Sequence, residues 1–334
     1  MSSSSSSVSV GLIGAGHLGK IHLKCMKQVA GIHIAGVWDI NREVMVQAAE
    51  DAGVPYFQDE AEIFDRTDAL VIASPTLSHL EWALRAAEAR KHLFIEKPVT
   101  ATMRECKRLE AALAGKHLIC QVGHVERFNP AFLAVRDQVK KPLFIEGHRL
   151  AEFKPRGTDV SVVMDLMIHD IDLVLSLVRE PIRDIRANGV AVMSPTPDIC
   201  NARIEFESGT VANLTASRIS MKQMRKLRIF QADAYIGMDL LKKESQVVKI
   251  QGEMQEGHPL SFPVDTGNGT RYIQVDMPEP KANNAITDEL SAFAQSILYH
   301  APVAVPFKDG QRALQVAEDI LTRIEEQAAR IAGA

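Results

Sequence analysis

From Val8 to about Val122 the chain alternates short apolar runs with helical patterns: VSVGLIG, GHLGKIHLKCMKQV, IHIAGVWD, REVMVQAAEDA, DALVIAS, LSHLEWALRAAEAR, HLFIEK, MRECKRLEAALAG and HLICQVG. Nothing else in the sequence restricts the fold so tightly. Strands and helices in strict alternation build a parallel sheet with crossover helices. The short runs are rich in Val, Ile and Leu rather than alternating in polarity, as strands covered on both faces must be. A doubly wound α/β domain over residues 8–122 is therefore predicted.

The rhythm breaks after Gly123. A helix is predicted near Pro130 to Val139, a strand around LFIEGHRLAEF, and an apolar helix around VVMDLMIHDID. Then come the β-like segments IRDIRANGVAVM, CNARIEFESGTVANLTASRIS, MRKLRIFQADAYIGMDL, SQVVKIQ and RYIQVDM, divided by Gly, Pro, Asn and Asp turn signals. Period-two alternation around Ser208 and Gly209 marks a hairpin. Residues 123–334 thus read as an α+β domain with a large, mostly antiparallel open sheet, closed by helices near 284–299 and 310–331 that can return to the first domain. Residues 1–7, mostly serine, read as a disordered tail.

A chain of 334 residues exceeds what one core usually organises, so two domains are expected. Its formal charge of -4 gives no bulk basicity for a phosphate backbone, which argues against nucleic acid as partner. The cysteines Cys25, Cys106, Cys120 and Cys200 are scattered, without zinc-site pairs or disulfide density, and suit a reducing cytoplasm. No window approaches the apolar length of a membrane helix, and no basic residue precedes the first apolar patch as a signal peptide requires.

The run VSVGLIGAGHLGKIH holds Gly14, Gly16 and Gly19 in GxGxxG spacing, after a strand and opening a helix. Gly14 permits the tight turn, Gly16 lets a pyrophosphate reach the backbone, and Gly19 brings helix and strand together. The next strand ends in Asp39, where an acid can hold the adenosine ribose. The combination specifies a dinucleotide, and Asp39 favours NAD over NADP because it repels a 2′-phosphate, with Arg42 a partial offset.

Strand HLFIEKPVT delivers Glu96, Lys97 and Pro98 at the carboxyl end of a parallel strand, where ligands gather in such sheets. In VVMDLMIHDID, a helix at about 100° per residue places Asp165, His169 and Asp172 in one narrow sector. With Val162, Val163, Leu166, Met167, Ile168, Ile171, Leu173, Val174 and Leu175 covering the remaining circumference, this stripe is expected to be buried. Asp170 points elsewhere, and Asp172, about two turns from Asp165, is given a structural role. A metal at Asp165 and His169 would need a third protein ligand that the sequence does not offer, so none is expected.

GLIGAGHLG, ASPTLSH, EKPVT and DLMIHDID, in this order, resemble the Gfo/Idh/MocA family of oxidoreductases over nearly the whole chain. The resemblance implies a Rossmann domain followed by an α/β domain whose open sheet serves homodimer or homotetramer contacts. It implies Lys97 as catalytic lysine, with Asp165 and His169 as the later DxxxH pair. It adds His17, Leu18, Ser74, Pro75, Thr76, His79, Glu96 and Lys97 to the cofactor-binding residues. The chemistry agrees: oxidising a secondary alcohol releases a proton, and histidine titrates where such a base is needed. His169 is read as the base, Lys97 as positioner and electrostatic stabiliser, and Asp165 as anchor of substrate or lysine.

VGHVERFNPAF resembles a branch of that family containing UDP-N-acetylglucosamine 3-dehydrogenases, whose 3-keto product passes to a partner aminotransferase. His124, Glu126, Arg127 and Asn129 then line the sugar, against the plainer reading of a helix start capped at Asn129. Lys154 and Arg156 in EFKPRGTD supply cations for a diphosphate. A dehydrogenase of a free sugar or inositol is the alternative of the same fold, and a catalytically silent nicotinamide sensor the alternative of another class.

Overall fold

The computed structural model describes residues 7–153, 160–251, 260–265, 267 and 269–332. The chain forms two compact units: residues 1–128 with 283–315, and residues 129–282 with 316–334. The first unit thus ends at Phe128, a few residues beyond the predicted boundary, and takes back the segment from Asn283 to Gln315.

In the first unit β1 (Val8–Ile13), β2 (Ile32–Trp38), β3 (Ala69–Ile72), β4 (His92–Glu96) and β5 (Cys120–Gly123) pair in parallel, in the order β2-β1-β3-β4-β5. All residues of β3 and all but the first of β4 are buried, the signature of strands covered on both faces. The crossovers are α1 (His17–Met26), α2 (Arg42–Ala52), α3 (Glu60–Arg66), α4 (His79–Glu88) and α5 (Met103–Leu113). Side chains close the open N–H groups at several helix starts, Asn41 Oδ1 accepting from Glu43 and Val44 on α2 and Thr102 from Glu105 on α5. Helix α8 (Ala285–Tyr299) packs on α1 and β1, placing Leu290 and Phe293 in the core with Val10, Leu12 and Phe94.

The second unit opens with α6 (Pro130–Val135) and is built on a nine-stranded sheet. Its strands are β6 (Pro142–Leu150), β7 (Ile182–Val190), β8 (Ile199–Phe206), β9 (Val211–Ser217), β10 (Met224–Gln231), β11 (Ala234–Asp239), β12 (Glu244–Gln251), β13 (Ser261–Asp265) and β14 (Thr270–Asp276). The order is β13-β14-β12-β11-β10-β6-β9-β8-β7, antiparallel except for β6 beside β9. Burial alternates along β8, so one face is covered and the other is not. Gly209 turns the β8–β9 hairpin at φ 88°, a left-handed conformation that favours glycine. Helix α7 (Ile168–Leu177) packs on β6 and β9, and α6 on β11 and β12. Helix α9 (Phe307–Ala332) begins in the first unit and ends in the second. No helix among the described residues is long and apolar enough to cross a membrane.

Two elements escaped the sequence pattern. Helix α3 is only seven residues long, and β13 is exposed along most of its length, so neither carries an apolar period.

Candidate active site

The glycine turn follows from close backbone contacts. Gly14 sits at φ 96°, and a Cβ there would stand 2.6 Å from the Ser74 backbone. A Cβ on Gly19 would lie 1.9 Å from the Gly14 carbonyl oxygen, so α1 meets β1 only without one. Gly16 differs: a Cβ would meet nothing within 4 Å, so its backbone borders open space. Gly16 also starts α1 without a side-chain cap, leaving the helix N–H groups to an incoming anion. This turn fits a pyrophosphate. His17 is exposed and Leu18 half-buried beside it.

Asp39 ties the turn in place. Its Oδ2 accepts the Ala15 N–H at 2.7 Å and its Oδ1 accepts the Asn41 N–H at 2.9 Å. Each carboxylate oxygen keeps a second lone pair for a ribose hydroxyl. Arg42 is exposed three residues on. Ile40 and Leu77 are 98% and 84% exposed. Sequence reasoning passed over both; for Ile40 the available signal was an apolar residue directly after Asp39.

The loop after β3 comes to the same edge of the sheet. Ser74 and Ser78 hydroxyls lie 2.7 Å apart, with Pro75 exposed and Thr76 half-buried between them. His79 was expected to touch the cofactor, yet it is 1% exposed. Its ring nitrogens lie 2.9 Å from the Ser74 carbonyl and 3.0 Å from that of Pro98, so it fastens the β3 and β4 loops to each other. Burial lowers its pKa, against the opposing pull of both carbonyls and of Glu96.

Glu96 was likewise expected at the cofactor. The structure turns it inward, 7% exposed, with Oε1 2.7 Å from His22 Nε2 and Oε2 accepting the Lys97 N–H at 3.2 Å. Lys97 follows half-buried, joined to Pro98 by a cis peptide.

His124 and Glu126 are 1% and 5% exposed, and Arg127 pairs with Asp309 at 3.2 Å. The 3-10 turn Val125–Phe128, which carries Glu126 and Arg127 and follows His124, packs against α8. Asn129 serves the fold: its Oδ1 accepts the Ala131 N–H at the start of α6, and its Nδ2 donates to Leu240. The bond to Ala131 is the one the cap reading expects. Lys154 and Arg156 lie outside the described residues.

In the second unit the uniform helix expected for VVMDLMIHDID is not what forms. Val163–Met167 is a π-helical turn, which α7 continues from Ile168. A π turn takes more residues than an α turn, so Asp165 leaves the sector calculated at α spacing. Asp165 is exposed, His169 half-buried and Asp172 1% exposed. The expected buried stripe is therefore a gradient from surface to core, with its acid end outside. Such turns frequently mark functional sites.

Asp170 points away and is held by Arg149 of β6, a residue the sequence reading missed. The guanidinium donates from Nε at 3.0 Å and from Nη2 at 2.8 Å, both side chains being almost fully buried. A hollow of about 910 Å³ lies elsewhere on this unit, lined by His148, Lys226, Arg228, Tyr235, Asp239 and Gln246 among others, and contains none of the expected catalytic residues.

Comparison with known proteins covers most of the chain. Residues 8–124 match the oxidoreductase family with an NAD-binding Rossmann fold, and residues 134–236 match the GFO/IDH/MocA C-terminal domain. The chain is 35% identical over 317 residues to a UDP-N-acetylglucosamine 3-dehydrogenase of Acidithiobacillus ferrooxidans, covering 94% of this chain and 96% of that protein. The solved structure of a UDP-N-acetylglucosamine 3-dehydrogenase from the same organism superposes with a TM-score of 0.85 at 31% identity, covering 96% of this chain and 98% of that one. A scyllo-inositol 2-dehydrogenase (NAD(+)) of Bacillus subtilis is 28% identical over 228 residues, covering 63% of this chain and 67% of that protein.

Proposed function

Because the chain belongs to the GFO/IDH/MocA family of oxidoreductases, with its NAD-binding Rossmann domain, we propose that it oxidises the 3-hydroxyl of UDP-N-acetylglucosamine to the 3-keto sugar nucleotide. The observation that carries this reading is end-to-end similarity, in sequence and in structure, to proteins named for that reaction.

The first unit holds the cofactor. Gly14, Gly16 and Gly19 shape the turn for the pyrophosphate, Asp39 accepts the ribose hydroxyls, and Ile40 and Leu77 offer apolar surface to the adenine. NAD, when bound, supplies the hydride acceptor. Lys97 donates to the substrate oxygen and stabilises it as the proton leaves, and His169 takes that proton. Asp165, exposed on the π turn, anchors an incoming hydroxyl. In this reading His124, Glu126 and Arg127 serve the sugar end from their buried turn, and Arg156, which lies outside the described residues, serves the diphosphate. The reading includes a cytoplasmic location and an aminotransferase that consumes the ketone. It also includes a second copy of the chain packed on the open sheet of the second unit.

A second reading, oxidation of a free inositol or sugar, has the inositol dehydrogenase similarity behind it. One experiment separates the two. The protein is incubated with NAD and with UDP-N-acetylglucosamine, N-acetylglucosamine or inositols, and products are weighed by mass spectrometry. Loss of two hydrogens from the UDP-sugar, with little from free sugars, is expected; faster oxidation of a free sugar or an inositol overturns the proposal.

A further inference from the structure

Buried charge with no part in the proposed chemistry gathers at one place in the first unit. His22 on α1, Glu96 at the end of β4 and Glu289 on α8 are 0%, 7% and 0% exposed. One ligand-type atom of each lies within 4.8 Å of the others. His22 and Glu96 already form a pair, and Glu96 supports the Lys97 amide with its other oxygen. Gly123 makes room for this carboxylate: a Cβ there would stand 2.9 Å from Glu96 Oε1. Glu289 is different. Both its carboxyl oxygens are buried without a hydrogen-bond partner among the described residues, while its backbone carbonyl accepts from Gln121 Nε2 at 2.7 Å.

One imidazole can balance one carboxylate, and this cluster has two. An unpaired carboxylate in a dry interior is the costly state, and taking up a proton is the usual escape. Burial accordingly pushes the Glu289 carboxyl well above its ordinary value of 4.5, with Glu96 and then Cys25 adding to the shift. A metal ion answers the charge less well. Ligand atoms around a tetrahedral ion stand roughly 3.3 Å apart for bonds of about 2.0 Å. His22 Nε2 and Glu96 Oε1, at 2.7 Å, are at the distance of a hydrogen bond.

We propose that Glu289 is a positioning residue: a neutral carboxylic acid whose lack of charge keeps the Glu96 carboxylate, and with it the Lys97 amide, in place. The inference rests on the reading of Lys97 as a residue that acts at the substrate. A second negative charge within 4.8 Å of Glu96, with no solvent to screen it, would drive that carboxylate off the Lys97 N–H. Among the described residues, His22 is the basic side chain that shares this cluster with the two acids. Helix α1 brings buried His22 and Cys25, its His17, Lys20 and Lys24 being exposed; β4 brings Glu96 at its end and half-buried His92 at its start, with half-buried Lys97 following, and β1 has no titratable side chain. The turn Val125–Phe128 carries Glu126 and also Arg127, which pairs with Asp309. On α8 itself Asp288 accepts from Asn283 Nδ2.

Glu289→Gln, neutral at every pH, tests this with two readouts. The folded wild type keeps a proton that the unfolded chain releases above about pH 4.5, so the stability this proton contributes is complete below that pH and declines as pH rises toward the folded pKa. The Tm of Glu289→Gln should therefore gain on wild type by about 2 °C per pH unit through that window. In turnover with NAD and the substrate identified by the panel, the ratio of the variant's kcat to that of wild type should climb on the alkaline side, with NAD affinity little changed. A Tm difference that is flat with pH, a kcat ratio that is flat with pH, or a stoichiometric metal present in wild type and absent from Glu289→Gln each overturns the inference. Failure of the underlying reading looks different: Lys97→Ala would retain turnover while the pH-dependent Tm difference persisted.

Discussion

The proposed cofactor turn and the proposed catalytic helix solve the placing of functional groups in opposite ways. In the turn, fold and function use the same atoms. A Cβ on Gly19 would collide with the Gly14 carbonyl, and Asp39 holds the Ala15 N–H with the same carboxylate that the proposed function gives to a ribose. On the helix the two tasks sit on different side chains. Asp170 is spent on Arg149, deep against β6, while His169 and Asp165 lie toward the surface. Where one residue does both jobs, no substitution removes chemistry alone. Where they are divided, the helix can lose either and keep the other.

The largest effect that could break this contrast is on stability. Arg149→Ala takes the guanidinium away from the buried Asp170 carboxylate, and should destabilise the protein by about 3–5 kcal/mol in denaturant unfolding. Replacing both residues, Arg149→Met with Asp170→Leu, should recover most of that loss, because a buried pair contributes little once both charges are gone. If Arg149→Ala is as stable as wild type, this face of α7 is not the structural one.

Next in size is turnover. His169→Ala and Lys97→Ala should each lower kcat by about 100-fold, close to 2.7 kcal/mol, with unfolding midpoint and NAD affinity little changed. Steady-state rates on the identified substrate, with chemistry limiting, decide the point. Near wild-type turnover in either variant removes that residue from the mechanism.

The same contrast explains what could be read from the sequence. The first unit was legible because its signals are local: alternating strands and helices, three glycines at fixed spacing, an acid one strand later. The helix was legible as an apolar period and misread in register, since Val163–Met167 carries nothing in its composition to separate a π turn from an α turn. Long-range pairs were hidden altogether. Arg149 sits in a strand of mixed polarity, and positions 22, 96 and 289 converge only in the folded unit. His79 and Glu96 belonged to recognisable motifs, but a motif does not say whether a side chain faces ligand or core. The clue was faint: a histidine at each buried face of α1 and α4 asked for a partner.

The smallest effect concerns Asp39, where the two tasks of the cofactor turn can be pulled apart by degree. Asp39→Ala removes both the acceptor for the Ala15 N–H and the negative charge facing a 2′-phosphate. Asp39→Asn removes the charge and keeps one oxygen that can accept from Ala15. Both variants should therefore narrow the preference for NAD over NADP by about 10-fold, or 1.4 kcal/mol. NAD affinity should fall further in Asp39→Ala, whose glycine turn has lost its tie. Titrating NAD and NADP into wild type and both variants checks each part. A preference unchanged in both variants would take the discrimination away from Asp39. Equal losses of NAD affinity would mean that the bond to Ala15 serves the fold without serving the cofactor, and the turn would then divide its labour as the helix does.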